Sequence, residues 1–345
     1  MAEDKKLICV VGATGNQGGS VARRFLADPR FAVRGLTRNP NSAASQALTA
    51  LGAEMVRADL DDAAAVAAAF AGANVVFSVT QYWEPFFRPD CRAAAAAAAG
   101  VSCRRYAYDV ELRHGKNIAD AAASVEAGLD ANGFLVSTLS HAGKCSAGAF
   151  TDLYHFDAKA DVFPDYLASA HPALAAKTSY IQTGFFMTSH RILPESYFQK
   201  QPDGSFEMRL PIAADRAVPH LDVNADMGAF VHGVAQMPAA GGHYMAAGTV
   251  AGFGEYLRLW AAAAGVAPVA AAYKHVAFDD MVADTADREC GVEVALMFQY
   301  AADHGYDGGM DLLTAEDIRK AGIECPMTTL EEWMARQDWA DVLAK

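Results

Sequence analysis

The chain has 345 residues, a 52% hydrophobic content and a formal net charge of −13 at neutral pH. That length can bury a large core, enough for one large α/β domain and a smaller one. The acidic balance, with no basic run or aromatic-basic stripe to offset it, argues against direct binding to a nucleic-acid backbone, and no apolar stretch is long enough to span a bilayer. Six cysteines, at 9, 91, 103, 145, 290 and 325, show no CxxC pair and no Cys/His spacing of a metal site. They read as reduced thiols used as small apolar residues. The N-terminus moves from MAEDKK straight into an apolar run, leaving no room for a signal or transit peptide, so a cytoplasmic location is expected.

Residues 7–26, LICVVGATGNQGGSVARRFL, join a buried-strand run to a glycine turn and then to a helix with an apolar face at Val21, Ala22, Phe25 and Leu26. A dinucleotide's pyrophosphate would rest on that helix's N-terminus, where free backbone N–H groups and the helix dipole favour an anion and glycines permit close approach. The spacing is GxxGxxG (Gly12, Gly15, Gly18), weak alone but strengthened by a second strand at 31–36, which completes a βαβ unit.

Where NAD-binding proteins usually carry an acid, this strand ends in Leu36, Thr37, Arg38, Asn39 and Pro40. The Arg38 guanidinium can pair with a 2′-phosphate through a forked contact, so NADP(H) is expected over NAD(H). In so acidic a chain, Arg38, Arg113 and Lys159 are the cations to watch.

A third strand is expected at 54–58, followed by Asp59, which could accept from an adenine amino group, and Leu60, which could pack on the ring. For Asp61 or Asp62 helix capping is the better reading. A helix covers 61–70 and a fourth strand 75–80. Next comes the polar and aromatic loop Thr80, Gln81, Tyr82, Trp83, Glu84, Pro85, placed to line the nicotinamide ribose or to pack as a lid. Residues 86–110 read as an insertion, 115–131 as a long helix, 134–139 as a fifth strand and 179–183 as a sixth. The alternation implies a doubly wound parallel sheet, Rossmann-like, with ligands beyond the C-terminal strand ends. The cofactor domain is placed at 1–160 and a smaller C-terminal α/β domain at 161–345, with 179–187 returning to the sheet.

Short-chain reductases on this fold use a Tyr-x-x-x-Lys pair one helical turn apart, the lysine holding the ribose and lowering the tyrosine's pKa. Here Lys159 fills the lysine position and His155 stands where the tyrosine belongs. Tyr154 is adjacent, but one residue turns a helix by about 100° and would point it away. His155 could transfer a proton or simply pack; Lys159 would work as a ribose contact without any tyrosine. Gly184, Phe185, Phe186 and Met187 offer an apolar wall, and His220 is a cleft candidate by analogy alone.

The ordered set VVGATGNQGGSVAR, LTRNP, RADLDD, SVTQYWEP, ELRHGKNIADAA, STLS, YHFDAKADV and GFFM, with PDGSFEMRLP, VPHLDVNADMG and TTLEEW later, resembles the NmrA-like family. That is a divergent branch of the short-chain dehydrogenase/reductase superfamily. The resemblance implies cofactor contacts at Gly12, Ala13, Thr14, Gly15, Asn16, Gln17, Gly18, Arg38, Asp59, Leu60, Thr80, Gln81, Tyr82, Arg113, Lys159, Gly184, Phe185, Phe186 and Met187, and no metal. Members of its redox-sensing branch lack the tyrosine and bind a regulatory partner, such as a transcription factor, according to cofactor state. Others, similar to isoflavone reductases, are NADPH-dependent oxidoreductases of small carbonyl or aromatic substrates. The histidine at 155 favours the regulator, for which nuclear as well as cytoplasmic residence is open; so is a homodimer.

Overall fold

The computed structural model describes residues 5–98 and 100–344. Residues 1–4, read above as leading directly into the first strand, lie outside the described residues. The chain opens with β1 (Lys6–Val10), α1 (Asn16–Leu26), β2 (Phe31–Thr37), α2 (Ala43–Ala50), β3 (Glu54–Arg57), α3 (Ala63–Phe70) and β4 (Val75–Ser78). Then come α4 (Trp83–Phe87), α5 (Pro89–Ala97), α6 (Cys103–Ser124), β5 (Phe134–Thr138), α7 (Ala142–Cys145) and α8 (Tyr154–Ala160). After the short helices α9 (Leu167–Ala170) and α10 (Pro172–Ala175), β6 (Thr178–Thr183) returns to the sheet.

A seventh strand, absent from the sequence reading, is contributed by His243–Ala246. The order across the sheet is that strand, then β6, β5, β4, β1, β2 and β3, with every pair parallel. The fold is thus Rossmann-like and doubly wound, and its winding reverses between β1 and β4, where a crevice must open at the strand ends.

The two-residue alternation of β1 explains why its run is uniformly apolar. Ile8 and Val10 point into the core beneath α1, Cys9 and Val11 into the opposite core beneath α3 and α6, and all four are buried. The helix Val223–Ala235 packs on α1 so closely that the Gly228 N–H donates to Ser20 Oγ at 2.9 Å. A β-carbon on Gly228 would stand 2.3 Å from the Ser20 carbonyl oxygen. The later chain therefore buttresses the helix that follows the glycine turn.

Two smaller three-stranded sheets lie beyond the main one. One pairs Val218–Leu221 with Phe185–Phe186 and Thr249–Ala251; the other pairs Phe206–Leu210 with Ala271–His275 and Gln199–Lys200. They share an aromatic core with the long helix Arg288–His304, centred on Trp260, Tyr256, Phe253 and Phe298.

The segment 86–110, expected to be an insertion, holds the end of α4, all of α5 and the first part of α6. Its alanines 93–97 are helical, as their propensity suggests, and the long helix begins at Cys103, where Ser102 caps it by accepting from Arg105 N–H at 3.1 Å. No helix among the described residues is long and apolar enough to cross a membrane.

Candidate functional site

The turn after β1 is tightly determined. Gly12 has a φ of +61°, a left-handed conformation that favours glycine, and its carbonyl accepts from Gly15 N–H at 2.9 Å. A β-carbon on Gly18 would meet the Gly12 oxygen at 2.3 Å, so only glycine lets α1 sit this close to the turn. No side chain caps α1 and no acid lies in its first turn, which leaves its N–H groups available to an anion. The Gln17 side-chain oxygen is buried without a partner beside them.

Around this turn a cleft of about 680 Å³ runs along the strand ends. That lies within the roughly 300–1,000 Å³ of typical small-molecule sites. It gathers most of the residues singled out in sequence: Gly12, Thr14, Gly15, Asn16, Gln17, Gly18, Arg38, Asp59, Leu60, Thr80, Gln81, His155, Lys159, Phe185 and Phe186. Segments as much as 174 residues apart meet because each follows a strand of one parallel sheet.

Five expected contacts are not in its lining. Ala13 is buried beneath the turn. Tyr82 is wholly buried and donates its hydroxyl to the Arg104 carbonyl at 3.1 Å, and burial raises its phenol above the usual range. Arg113 turns outward to Asp61 at 2.6 Å. Gly184 is wedged between strands, where a β-carbon would strike the Pro219 carbonyl. Met187 is fully buried in the aromatic core. His220 also stays out of the cleft: it is buried, its Nε2 lies 3.1 Å from the Ala251 carbonyl, and desolvation pushes it down to about 4. Of the two candidate caps, Asp62 caps α3 at Ala65 N–H, while Asp61 pairs with Arg113 and His114.

At one end of the cleft, Arg38 Nη1 lies 2.8 Å from Glu84 Oε1, and Arg88 reaches the same oxygen at 3.5 Å. Glu84 and Arg88 line the cleft too. The sequence reading named Glu84 only as part of the loop after β4 and missed Arg88, because their place at the second strand's end depends on α4 folding across from β4. Toward the centre, Lys159 Nζ donates to Glu111 Oε1 at 2.5 Å, and the Thr80 hydroxyl donates to that oxygen at 2.6 Å. Glu111 is fully buried and its other oxygen has no partner.

At the far end, His155 Nδ1 lies 2.7 Å from Oε1 of the fully buried Glu293, which also accepts from the His155 N–H at 2.8 Å. Arg104 Nε donates to the other Glu293 oxygen at 2.7 Å. Burial acts to raise the Glu293 carboxyl, yet the hydrogen bonds and charges of His155 and Arg104 hold it below its ordinary value. Tyr154 points away as its one-residue offset demands, its hydroxyl toward Asp152 and its ring beneath Arg104. Beyond His155 the wall is apolar: Leu139, Phe185, Leu193, Val294, Met297 and Tyr306.

This parallel sheet with a glycine turn at its switch point defines the class of dinucleotide-fold α/β proteins. The NmrA-like family profile matches residues 4–334. The chain belongs to the NmrA-like family.

Over 89 residues it is 53% identical to the NmrA-like family domain-containing oxidoreductase hkm9 of Aspergillus hancockii, a stretch that is 26% of this chain and 27% of that protein. It is 27% identical over 248 residues to the similarly described ptmS of Penicillium ochrochloron, covering 69% of this chain and 67% of that one. The chain thus spans only about a quarter of the length of hkm9 but two thirds of ptmS.

Among solved structures, NmrA, a negative transcriptional regulator, in complex with NADP superposes with a TM-score of 0.66 at 17% identity, over 97% of this chain and 95% of NmrA. NmrA has also been solved with NAD. The NADPH-dependent quinone oxidoreductase QOR2 from Escherichia coli, complexed with NADPH, gives 0.66 at 19% identity, over 95% and 98% of the two chains. At these identities the likeness is one of fold.

Proposed function

We propose that this protein is an NADP(H)-dependent oxidoreductase that reduces an apolar carbonyl or aromatic substrate. The observation that carries the reading is the continuation of the cleft past the glycine turn into an apolar pouch beside His155 and Lys159. Related proteins described as oxidoreductases support the same reading.

The residues fit the cofactor. The turn from Gly12 to Gly18 would hold the pyrophosphate, Asp59 and Leu60 the adenine, and Lys159 the nicotinamide ribose. Arg38 and Arg88 would clamp a 2′-phosphate in place of the Glu84 carboxylate. Their exposed ion pairs are worth at most about 1 kcal/mol, so the exchange costs little. A bound NADPH supplies a hydride. The division into a cofactor half at 1–160 and a substrate half after it belongs to this proposal, with 178–183 and 243–246 rejoining the sheet.

A second reading is an NADP(H)-responsive regulator that acts through a protein partner such as a transcription factor. The missing tyrosine and the fold likeness to NmrA favour it. Loss of absorbance at the reduced-nicotinamide band separates the two, using NADPH and a panel of aromatic aldehydes and ketones. Multiple turnovers are expected. Tight NADPH binding with no consumption on any member would overturn the oxidoreductase reading and leave the regulator.

A further inference from the structure

The pair formed by His155 and Glu293 has more order than packing requires. Glu293 comes from the helix Arg288–His304, far along the chain, and its side chain is 0% exposed. One oxygen takes both the backbone N–H and the ring Nδ1 of His155; the other takes Arg104. A carboxylate accepts only, so Nδ1 must carry the hydrogen between them, which makes Nε2 the ring nitrogen left for a molecule in the cleft that His155 lines.

The ring cannot swing away, because Trp83, Phe156 and Tyr82 pack around it with centroids at 5.2, 4.9 and 5.8 Å. The charged and titratable groups around it are Glu293 and, behind it, Arg104; the Tyr82 hydroxyl, committed to the Arg104 carbonyl; and Lys159 one turn along α8, held by Glu111. Lys159 is thus neutralised by its own buried acid, and Glu293 is the anion in contact with the imidazole.

We propose that His155, oriented and charge-balanced by Glu293, is the proton donor of the reduction, standing in for the tyrosine that the chain lacks. The inference rests on the oxidoreductase reading above. As the hydride supplied by the reduced nicotinamide forms a new C–H bond at the substrate's carbonyl carbon, the C=O π electrons move to oxygen. The His155 Nε2–H bond then breaks and an O–H bond forms, giving the alcohol. The imidazolium becomes neutral imidazole with its hydrogen still on Nδ1, and Nε2 is reprotonated by solvent. Glu293 keeps its charge throughout and acts as a positioning residue that stabilises the imidazolium.

The test uses full-length protein, NADPH and the aromatic aldehyde or ketone of the panel that is reduced fastest, with His155→Gln, Glu293→Gln and Glu293→Asp. His155→Gln should lower kcat by roughly 100-fold or more, the usual scale of a lost general acid, while the NADPH Kd, read by nicotinamide fluorescence, stays within about threefold. Glu293→Gln should lower kcat with KM little changed, and Glu293→Asp should recover part of the loss.

Independently of turnover, ¹⁵N spectra of histidine-labelled wild type should show neutral His155 protonated on Nδ1, and Glu293→Gln should weaken that preference. Wild-type kcat in His155→Gln, or a His155 hydrogen on Nε2 in the neutral wild-type ring, would overturn the proposal while the oxidoreductase reading stood. A wild type that consumes no NADPH would instead remove that reading and this inference with it.

Discussion

Replacing Gly18 by alanine perturbs the glycine turn at its tightest point. The added methyl would stand 2.3 Å from the Gly12 oxygen, 2.6 Å from the Gly12 carbonyl carbon and 2.7 Å from the Val11 oxygen, where ordinary contact begins near 3.4 Å. All three atoms are backbone, so no side chain can swing aside and α1 must withdraw by about 1 Å. Overpacking of this kind costs typically 1–3 kcal/mol, and backbone partners place it near the top. Alanine returns about 1 kcal/mol through its better helix propensity, so the net loss should be about 2 kcal/mol. For a chain of 345 residues that corresponds to a Tm lower by roughly 3 °C.

The same withdrawal displaces the N–H groups that would meet a pyrophosphate, so NADPH should bind at least about tenfold more weakly, a loss of about 1.4 kcal/mol. Gly19→Ala is the control: its methyl would come no closer than 3.3 Å to its neighbours, and the helical gain should leave it neutral or slightly stabilised. Thermal melts and fluorescence titrations of the two variants decide the matter. Should Gly18→Ala melt and bind like wild type, the turn is not the rigid phosphate cradle argued here.

Arg38→Ala should weaken NADPH by roughly tenfold while changing NADH by less than about threefold, since an exposed charge-assisted contact sits at the low end of about 1.5–3 kcal/mol; equal losses for both dinucleotides would discard the 2′-phosphate role. His141 supplies a pH dependence. Burial opposes its charging, but contacts with Asp157 and Asp161, both at 3.2 Å, push it up to about 9. Its folded value lies above the unfolded one of about 6.5, so its contribution is complete below pH 6.5 and is lost as pH rises through 9. The amount is roughly 2–3 kcal/mol. Urea unfolding at pH 6 and pH 9.5 should show that loss in wild type and a much smaller one in His141→Gln; parallel pH profiles would refute it.

The glycine turn, the strand that precedes it and the cation at the end of the next strand were legible because they are local. Period-two burial and the backbone needs of a tight turn leave their mark on adjacent residues. Lys159 and His155 were legible for a related reason, since a four-residue spacing on a helix fixes a shared face. The edge strand His243–Ala246 was not: it is four residues long and pairs with β6, more than sixty residues earlier in the chain. The direction of the Tyr82 ring was not legible either, because a loop position says nothing of it. The structure turns the ring into the core, where its hydroxyl finds the Arg104 carbonyl.

By itself, the sequence determined the Rossmann-like class, the family resemblance and the line of residues along the cleft. Each of these rests on short-range pattern repeated at every strand end. Only the tertiary structure decided the partners of the charged groups: Glu84 between two arginines, Glu111 beneath Lys159, Glu293 against His155. Apart from Glu84 and Arg88, four residues apart, no local spacing encodes these pairs. A buried acid such as Glu111 or Glu293 is tolerated only where a distant segment supplies its donors, so these two pairs depend on how α6 and the helix Arg288–His304 pack around the cleft.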